Sequence, residues 1–402
     1  MSNIFQTNKI KEILPKVKSF VKTHLYNLET PEIMNGNFSK VEPILLEKRE
    51  IVKQEGLFGM HLSEKEGGLG LSLCEFGQVS EILAYSPFGH FVFNTQAPDI
   101  GNTELLHKYA SEELKSKFLK PLQEGKIRSC FSMTEPEFAG SNPTMMGTTA
   151  VKDGSDYIIN GHKWFTSSAD GAAFAVVMAI TNPNAPAHQR ASQIIVPLDN
   201  PGYEFVRNIP IMGHAGDSWA SHAEVKYNNV RVPQSYLVGP EGSGFKLAQE
   251  RLGPGRIHHC MRFIGIAQRS FDLMCQYALS RNITEEKTLG HMQFIHGFIA
   301  ESKAEIEAAR LLVLNTAHNI DLNGAAACRD EISAIKFSTA NMMLRVVDRA
   351  IQVHGGLGMT TDVILSYFYT HERASRIYDG ADEVHKSALA KNILKNFNPI
   401  SL

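Results

Sequence analysis

The order in which the hydrophobic period changes along the chain limits its architecture more than any other feature. Ile10, Ile13, Leu14, Val17, Phe20 and Val21 recur at helical spacing and Glu112 to Leu122 repeats the pattern, so the chain to about Lys126 is expected to be helical. Gly67-Gly68-Leu69-Gly70 interrupts it as a loop between helices. From Ser129 the period shortens. Phe174 to Ile180 and Gln193 to Leu198 are buried-strand runs, and Ala223, Val225 and Tyr227 alternate with polar residues. Asn160-Gly161, between Tyr157-Ile158-Ile159 and His162 to Phe165, predicts a type I′ hairpin turn. After the loop Gly239 to Gly244 the helical period returns. It runs through Ile257, Met261, Ile264, Phe271, Met274 and Ala278, then Glu301 to Ile320, Asp330 to Val353 and Thr361 to Leu394, which predicts a bundle. Helices, then strands, then a helix bundle is an unusual order.

Composition narrows the chemistry. Lys plus Arg is 40 against Asp plus Glu 42, a formal net charge of −2, so no basic excess exists to displace phosphate counterions from nucleic acid. Cys74, Cys130, Cys260, Cys275 and Cys328 are scattered and form no Cys-x-x-Cys pair, which predicts a reducing compartment and neither a disulfide framework nor a zinc ribbon. The stretch from Met1 to Lys16 has no continuous apolar core, and the longest apolar run, Ala172 to Ile180, is short for a membrane span. A soluble, intracellular, cytoplasmic protein is expected. No Gly-x-Gly-x-x-Gly opens a helix after a strand, and neither a Walker loop nor a Gly-x-Ser-x-Gly elbow occurs. His258-His259 and His291 with His296 lack metal-ligand partners at useful spacing, so no metal is expected and these are read as helix-surface or interface histidines.

Three segments stand out. Ser132 to Ser141 offers hydroxyls, small residues and backbone N–H groups, suited either to a polar ring system and a phosphate or to a capped surface turn. Gln352-Val353-His354-Gly355-Gly356-Leu357-Gly358 carries more glycine than a helix C-cap needs, as if the backbone meets a pyrophosphate or another chain. Arg376 to His385 sets Asp379, Asp382 and Glu383 around Gly380; the last two acids also suit the first turn of a helix.

Taken together, Thr134-Glu135-Pro136, Asn160-Gly161, Gly244-Phe245-Lys246, Gln352 with Gly355-Gly356, and Tyr378-Asp379-Gly380 resemble the acyl-CoA dehydrogenase family, in its order and spacing over nearly the whole chain. The run from Leu252 to Cys260 is most similar to a subgroup found as the C-terminal part of larger proteins with a kinase-like domain. The resemblance implies an α+β multidomain fold: an N-terminal α-helical domain (1–127), a middle β-barrel-like domain (128–240) and a C-terminal four-helix bundle (241–402). It implies FAD between the last two domains, an acyl-CoA substrate, an electron-transferring flavoprotein as acceptor, and a homotetramer, a dimer of dimers in which a neighbouring subunit completes each flavin site.

By the same resemblance Phe131, Met133, Thr134, Trp164, Phe165, Thr166 and Ser167 line the flavin, with Thr166 facing the ring edge near N5. Arg281, Gln352, Gly355 and Gly356 reach its pyrophosphate or adenosine, and Ala381 and Glu383 complete the cofactor set. Ser141 meets flavin or CoA, and Gly253, Arg256 and Gly380 face the acyl-CoA. Asp379 stands where the family's commonest base is Glu, one methylene longer; the family's second base location falls on Gly255, which cannot serve. The implied reaction is α,β-dehydrogenation, Asp379 removing the α-proton as the β-hydride leaves for flavin N5. An oxidase or monooxygenase of the nitroalkane-oxidase kind, which also uses Asp, and a non-catalytic acyl-CoA or flavin-binding protein are the alternatives.

Overall fold

The computed structural model describes residues 4–398, and the side chains of residues 252–254 fall outside that description. The leading helices are α1 (Asn8–His24), α2 (Phe38–Gln54), α3 (Leu73–Leu83) and α4 (Asp99–Tyr109). Strands β1 (Ser129–Ser132), β2 (Thr149–Asp153), β3 (Asp156–Ser167), β4 (Phe174–Ile180), β5 (Ala191–Pro197), β6 (Tyr203–Asn208), β7 (His222–Pro233) and β8 (Leu237–Val238) follow. The chain then returns to helix in α5 (Gly244–Ser280), α6 (Gln293–Asn323), α7 (Arg329–His354), α8 (Leu365–Glu372) and α9 (Asp382–Leu394). The helix–sheet–helix order is the one its periodicity predicts. Among the described residues no helix is long and apolar enough to cross a membrane.

Two compact units form. One gathers Met1–Met34, Glu50–Val92 and Gly253–Leu402; the other holds Asn35–Arg49 and Phe93–Leu252. The leading helices are therefore divided between the units, a partition set by long-range packing that a local pattern does not reveal.

In the second unit the strands form one sheet in the order β6-β7-β3-β2-β4-β5-β8, with β1 paired to β4 in parallel. β4 and β5 are buried on both faces; β4 is an uninterrupted apolar run, and β5 also buries Ser192 and Gln193, which are hydrogen-bonded to Thr181 and to the Gly244 carbonyl. The Asn160-Gly161 hairpin does not form. β3 runs straight through it, pairing with β7 across a register shift between Ile159 and Gly161. The reversal comes earlier, at Gly154 (φ 60°) between β2 and β3. The Asn160 amide donates to Asn229 Oδ1 at 3.1 Å and its oxygen accepts the Asn229 N–H at 2.8 Å, which fixes the bulge. A Cβ on Gly161 would lie 2.1 Å from Thr148 Oγ1, so the glycine answers a close approach and not a turn.

In the first unit α5, α6 and α7 are the long helices of the bundle. The fourth expected helix is broken. α8 ends at Glu372, a 3₁₀ turn covers Arg373–Arg376, and α9 starts only at Asp382. The break holds Asp379 at φ 54° and Gly380 at φ 98°, backbone angles no α-helix contains. Asp382, buried, anchors the new helix by accepting from Arg376 Nε at 2.7 Å and Asn341 Nδ2 at 2.8 Å.

Candidate active site

The second unit brings Phe131, Met133, Thr134, Trp164 and Thr166 to one end of β1 and β3. The mainspring is a buried ion pair. Lys163 Nζ lies 2.8 Å from Glu135 Oε1 and donates to the Met133 carbonyl at 2.9 Å. Glu135 also accepts the backbone N–H groups of Gly147 and Thr148. Burial, opposed by Glu135, holds Lys163 down to about 8; Glu135 is buried too, but Lys163 and the N–H donors keep its carboxyl below the usual range. The Trp164 N–H donates to the Thr134 carbonyl at 3.0 Å and ties the loop to β3. Phe131 lies under the Arg251 guanidinium at 4.3 Å.

On β3 the bulge between Lys163 and Thr166 gives Phe165 a φ of 49° and leaves it 43% exposed. Thr166 is buried, its hydroxyl 3.3 Å from Ser132 Oγ, and Ser167 Oγ lies 2.7 Å from His222 Nδ1. Ser141 lies in an exposed turn. The Trp164 indole Nε1 is buried without a hydrogen-bond partner among the described residues. An orphan buried donor costs about 1–3 kcal/mol, so this one calls for a ligand acceptor.

In the first unit Gln352, Gly355 and Gly356 are exposed where α7 ends, Gly355 at φ 60°. A Cβ on either glycine would meet nothing within 4 Å, so the backbone there is bare to an approaching group. Arg281 is exposed just past α5, its carbonyl accepting the Leu289 N–H at 2.9 Å. Gly253 falls within α5, but its surroundings are outside what the structure describes.

Asp379 occupies the corner before α9, and its surroundings are tied to the bundle by cations. Arg256 Nε donates to the Asp379 carbonyl at 3.2 Å, and His385 Nε2 lies 3.1 Å from the same oxygen. Arg262 pairs with Glu372 and donates to the Tyr378 hydroxyl at 2.6 Å, while Lys336 Nζ donates to the Ser375 carbonyl at 2.6 Å. The Asp379 carboxylate itself, 22% exposed, lies 3.1 Å from His259 Nε2. Gly380 permits this packing, since a Cβ there would come within 2.7 Å of His385 Nε2. Ala381 is the residue before α9, and Glu383 is exposed in its first turn.

His259 is the residue that sequence reasoning misread. It is no surface histidine: its side chain is 18% exposed and faces Asp379. The available signal was its place three residues after Arg256 on the same helix face. Burial lowers its pKa below the usual value, Asp379 opposing and Arg262 and Lys336 reinforcing the shift.

Buried neutral histidines give this unit a pH dependence. Burial pushes His385 down to about 4 and lowers His90, His259 and His354 as well. In the unfolded chain each takes a proton near its ordinary 6.5, so the unfolded state binds more protons between 6.5 and 4. Stability is therefore full above that window and falls as pH drops through it, His385 alone contributing on the order of 3 kcal/mol. Thermal melts from pH 7.5 to 4.5 should show a steady loss of Tm, reduced in a His385→Gln protein. A flat profile would contradict the assignment.

Models of the acyl-CoA dehydrogenase N-terminal, middle and C-terminal domains match residues 7–126, 130–230 and 242–394. The chain is 41% identical over 401 residues to acyl-CoA dehydrogenase family member 11 of Rattus norvegicus, covering 97% of this chain and 51% of that protein. It thus spans about half the length of that curated relative. FadE2 of Mycobacterium tuberculosis is 42% identical over 355 residues, covering 87% of this chain and 85% of that one. A solved structure of a Mycobacterium abscessus protein superposes with a TM-score of 0.91 at 35% identity, covering 98% and 99% of the two chains.

Proposed function

The chain belongs to the acyl-CoA dehydrogenase family, and from that premise we propose that it is an FAD-dependent dehydrogenase that desaturates the α,β bond of an acyl-CoA thioester, with Asp379 as the base. The observation that supports it most is the Asp379 corner: a carboxylate on a backbone of positive φ, its carbonyl held by Arg256 and approached by His385, its side chain met by His259. The residues present also fit a flavin. Its ring carries carbonyl and imine acceptors suited to the orphan Trp164 indole N–H, and the bare backbone at Gly355 and Gly356 suits the phosphates of a flavin held by a neighbouring copy of the chain, as the family resemblance implies.

When bound, the flavin supplies the acceptor for the hydride that leaves the β-carbon. The protein does the rest. Asp379 takes the α-proton, and the half-buried setting keeps bulk water from competing for it. Arg256 fixes the corner through the Asp379 carbonyl, and the Asp379 N–H, in the preceding peptide, donates to the thioester oxygen as negative charge develops there. Phe131, Met133 and Thr134 hold the ring through the loop that Lys163 and Glu135 anchor. An electron-transferring flavoprotein receives the electrons, and a second copy of the chain covers the exposed Gln352, Gly355 and Gly356. The domain limits 1–127, 128–240 and 241–402 belong to the same reading.

The test is turnover of an acyl-CoA panel with an artificial electron acceptor in the absence of oxygen, with products weighed by mass spectrometry. The expected product is a 2-enoyl-CoA lighter by two hydrogen atoms. Product formed only with oxygen, together with peroxide, would replace the dehydrogenase by an oxidase.

A further inference from the structure

Asp379 has a shorter reach than a glutamate by one methylene, about 1.5 Å. A short carboxylate on a corner with positive φ needs a partner that fixes its rotamer without neutralising it. Three nearby cations direct hydrogen bonds to other atoms, Arg256 to the Asp379 carbonyl, Arg262 to Glu372 and Tyr378 and Lys336 to the Ser375 carbonyl, while Arg256 and Lys336 act on the Asp379 charge from farther off. One group that faces the carboxylate is an imidazole. His259 Nε2 lies 3.1 Å from Asp379 Oδ2, and its ring is flanked by Phe263 at 6.2 Å with an interplanar angle of 21° and by Tyr378 at 5.1 Å. Its helix, α5, also carries Arg256, so one rigid element holds the corner at both its peptide and its side chain.

We infer that His259 is the positioning residue of the base, its neutral Nε2–H donating to the Asp379 carboxylate and setting both the aim and the basicity of that group. The inference rests on the dehydrogenase reading above. A neutral donor suits the task. It orients the carboxylate and favours its ionised form, yet it leaves more basicity than a guanidinium or ammonium at the same distance would. The charged and titratable groups facing the imidazole include Asp379 and Tyr378 from the corner, Arg262 from its own helix, Lys336 from α7 and His90. Burial opposes a second proton on the ring, Asp379 works against that and the two cations reinforce it, which favours the neutral donor.

The experiment compares wild type with His259→Leu and His259→Gln, each checked for flavin content and for a native circular dichroism spectrum. Flavin reduction by acyl-CoA is followed by stopped flow from pH 5.5 to 9. His259→Leu should reduce flavin about 10- to 100-fold more slowly with little change in KM. Its acid limb should move up by about one pH unit, because the carboxylate has lost a donor to its ionised form. His259→Gln, which keeps an N–H near the same point, should recover most of the rate and return the limb. A second readout needs no turnover: the imidazole NMR titration of His259 should shift down by about one unit in Asp379→Asn. A His259→Leu protein with the wild-type rate and acid limb, or an imidazole titration that ignores Asp379→Asn, overturns the inference. If the wild type itself fails to reduce its flavin, or Asp379→Asn reduces it normally, the dehydrogenase reading fails instead, and the NMR arm still reports on the pair.

Discussion

An Asp379→Asn protein is expected to bind flavin as the wild type does and yet stay oxidised when acyl-CoA is added. The change is nearly isosteric, so Arg256 and His385 keep their contacts to the carbonyl of residue 379, and the corner with Gly380 at φ 98° is undisturbed. Asn also tolerates the left-handed conformation that residue 379 adopts. What disappears is the proton acceptor. Positioned general bases contribute about 10²- to 10⁴-fold, and the rate of flavin reduction should fall within or beyond that range. Tight binding of the acyl-CoA should persist, visible as a perturbed flavin spectrum without reduction. A variant that reduces its flavin within a few fold of the wild type would remove Asp379 from the role of base.

The second large effect is structural and lies in the other unit. Lys163 and Glu135 are buried together, and removing Lys163 leaves the Glu135 charge with only the Gly147 and Thr148 N–H groups to compensate it. Such a loss costs about 3–5 kcal/mol. Lys163→Met is therefore expected to lower Tm by roughly 6–20 °C, at the 2–4 °C per kcal/mol of a domain this size. Because Lys163 also holds the Met133 carbonyl, the variant should lose flavin more readily than its stability alone explains. Replacing both partners, Lys163→Met with Glu135→Leu, should be less damaging than either single change, since no buried charge is then left alone. Flavin retention at wild-type level in the single variant would contradict the link between this pair and the loop.

Much of the fold was legible because it is written in local periodicity. The buried runs of β4 and β5, the alternation in β7 and the long apolar faces of α5 to α7 need no partner to be recognised. What escaped depends on contacts between distant residues. Asn160-Gly161 carries the residues of a tight turn, but Thr148 and Asn229 make it a bulge inside a strand. The break before α9 was signalled only by Gly380, while the left-handed Asp379 beside it is set by Arg256 and His385. Metal-ligand spacing is no guide to His259, whose carboxylate partner Asp379 is 120 positions away in sequence and 3.1 Å away in space. The residues proposed to line a flavin and to act as base rest on family resemblance; the forces that hold those segments, above all the Lys163–Glu135 pair, are visible only in the fold.

The central claim is that acyl-CoA gives up a proton and a hydride in this protein, and one measurement reads that directly. The purified protein is titrated anaerobically with acyl-CoAs of short, long and branched chains while the flavin absorbance is recorded. The account predicts that at least one thioester bleaches the oxidised flavin band with a stoichiometric endpoint, and that none bleaches Asp379→Asn. A folded, flavin-loaded wild type whose spectrum stays oxidised across the whole panel would contradict it.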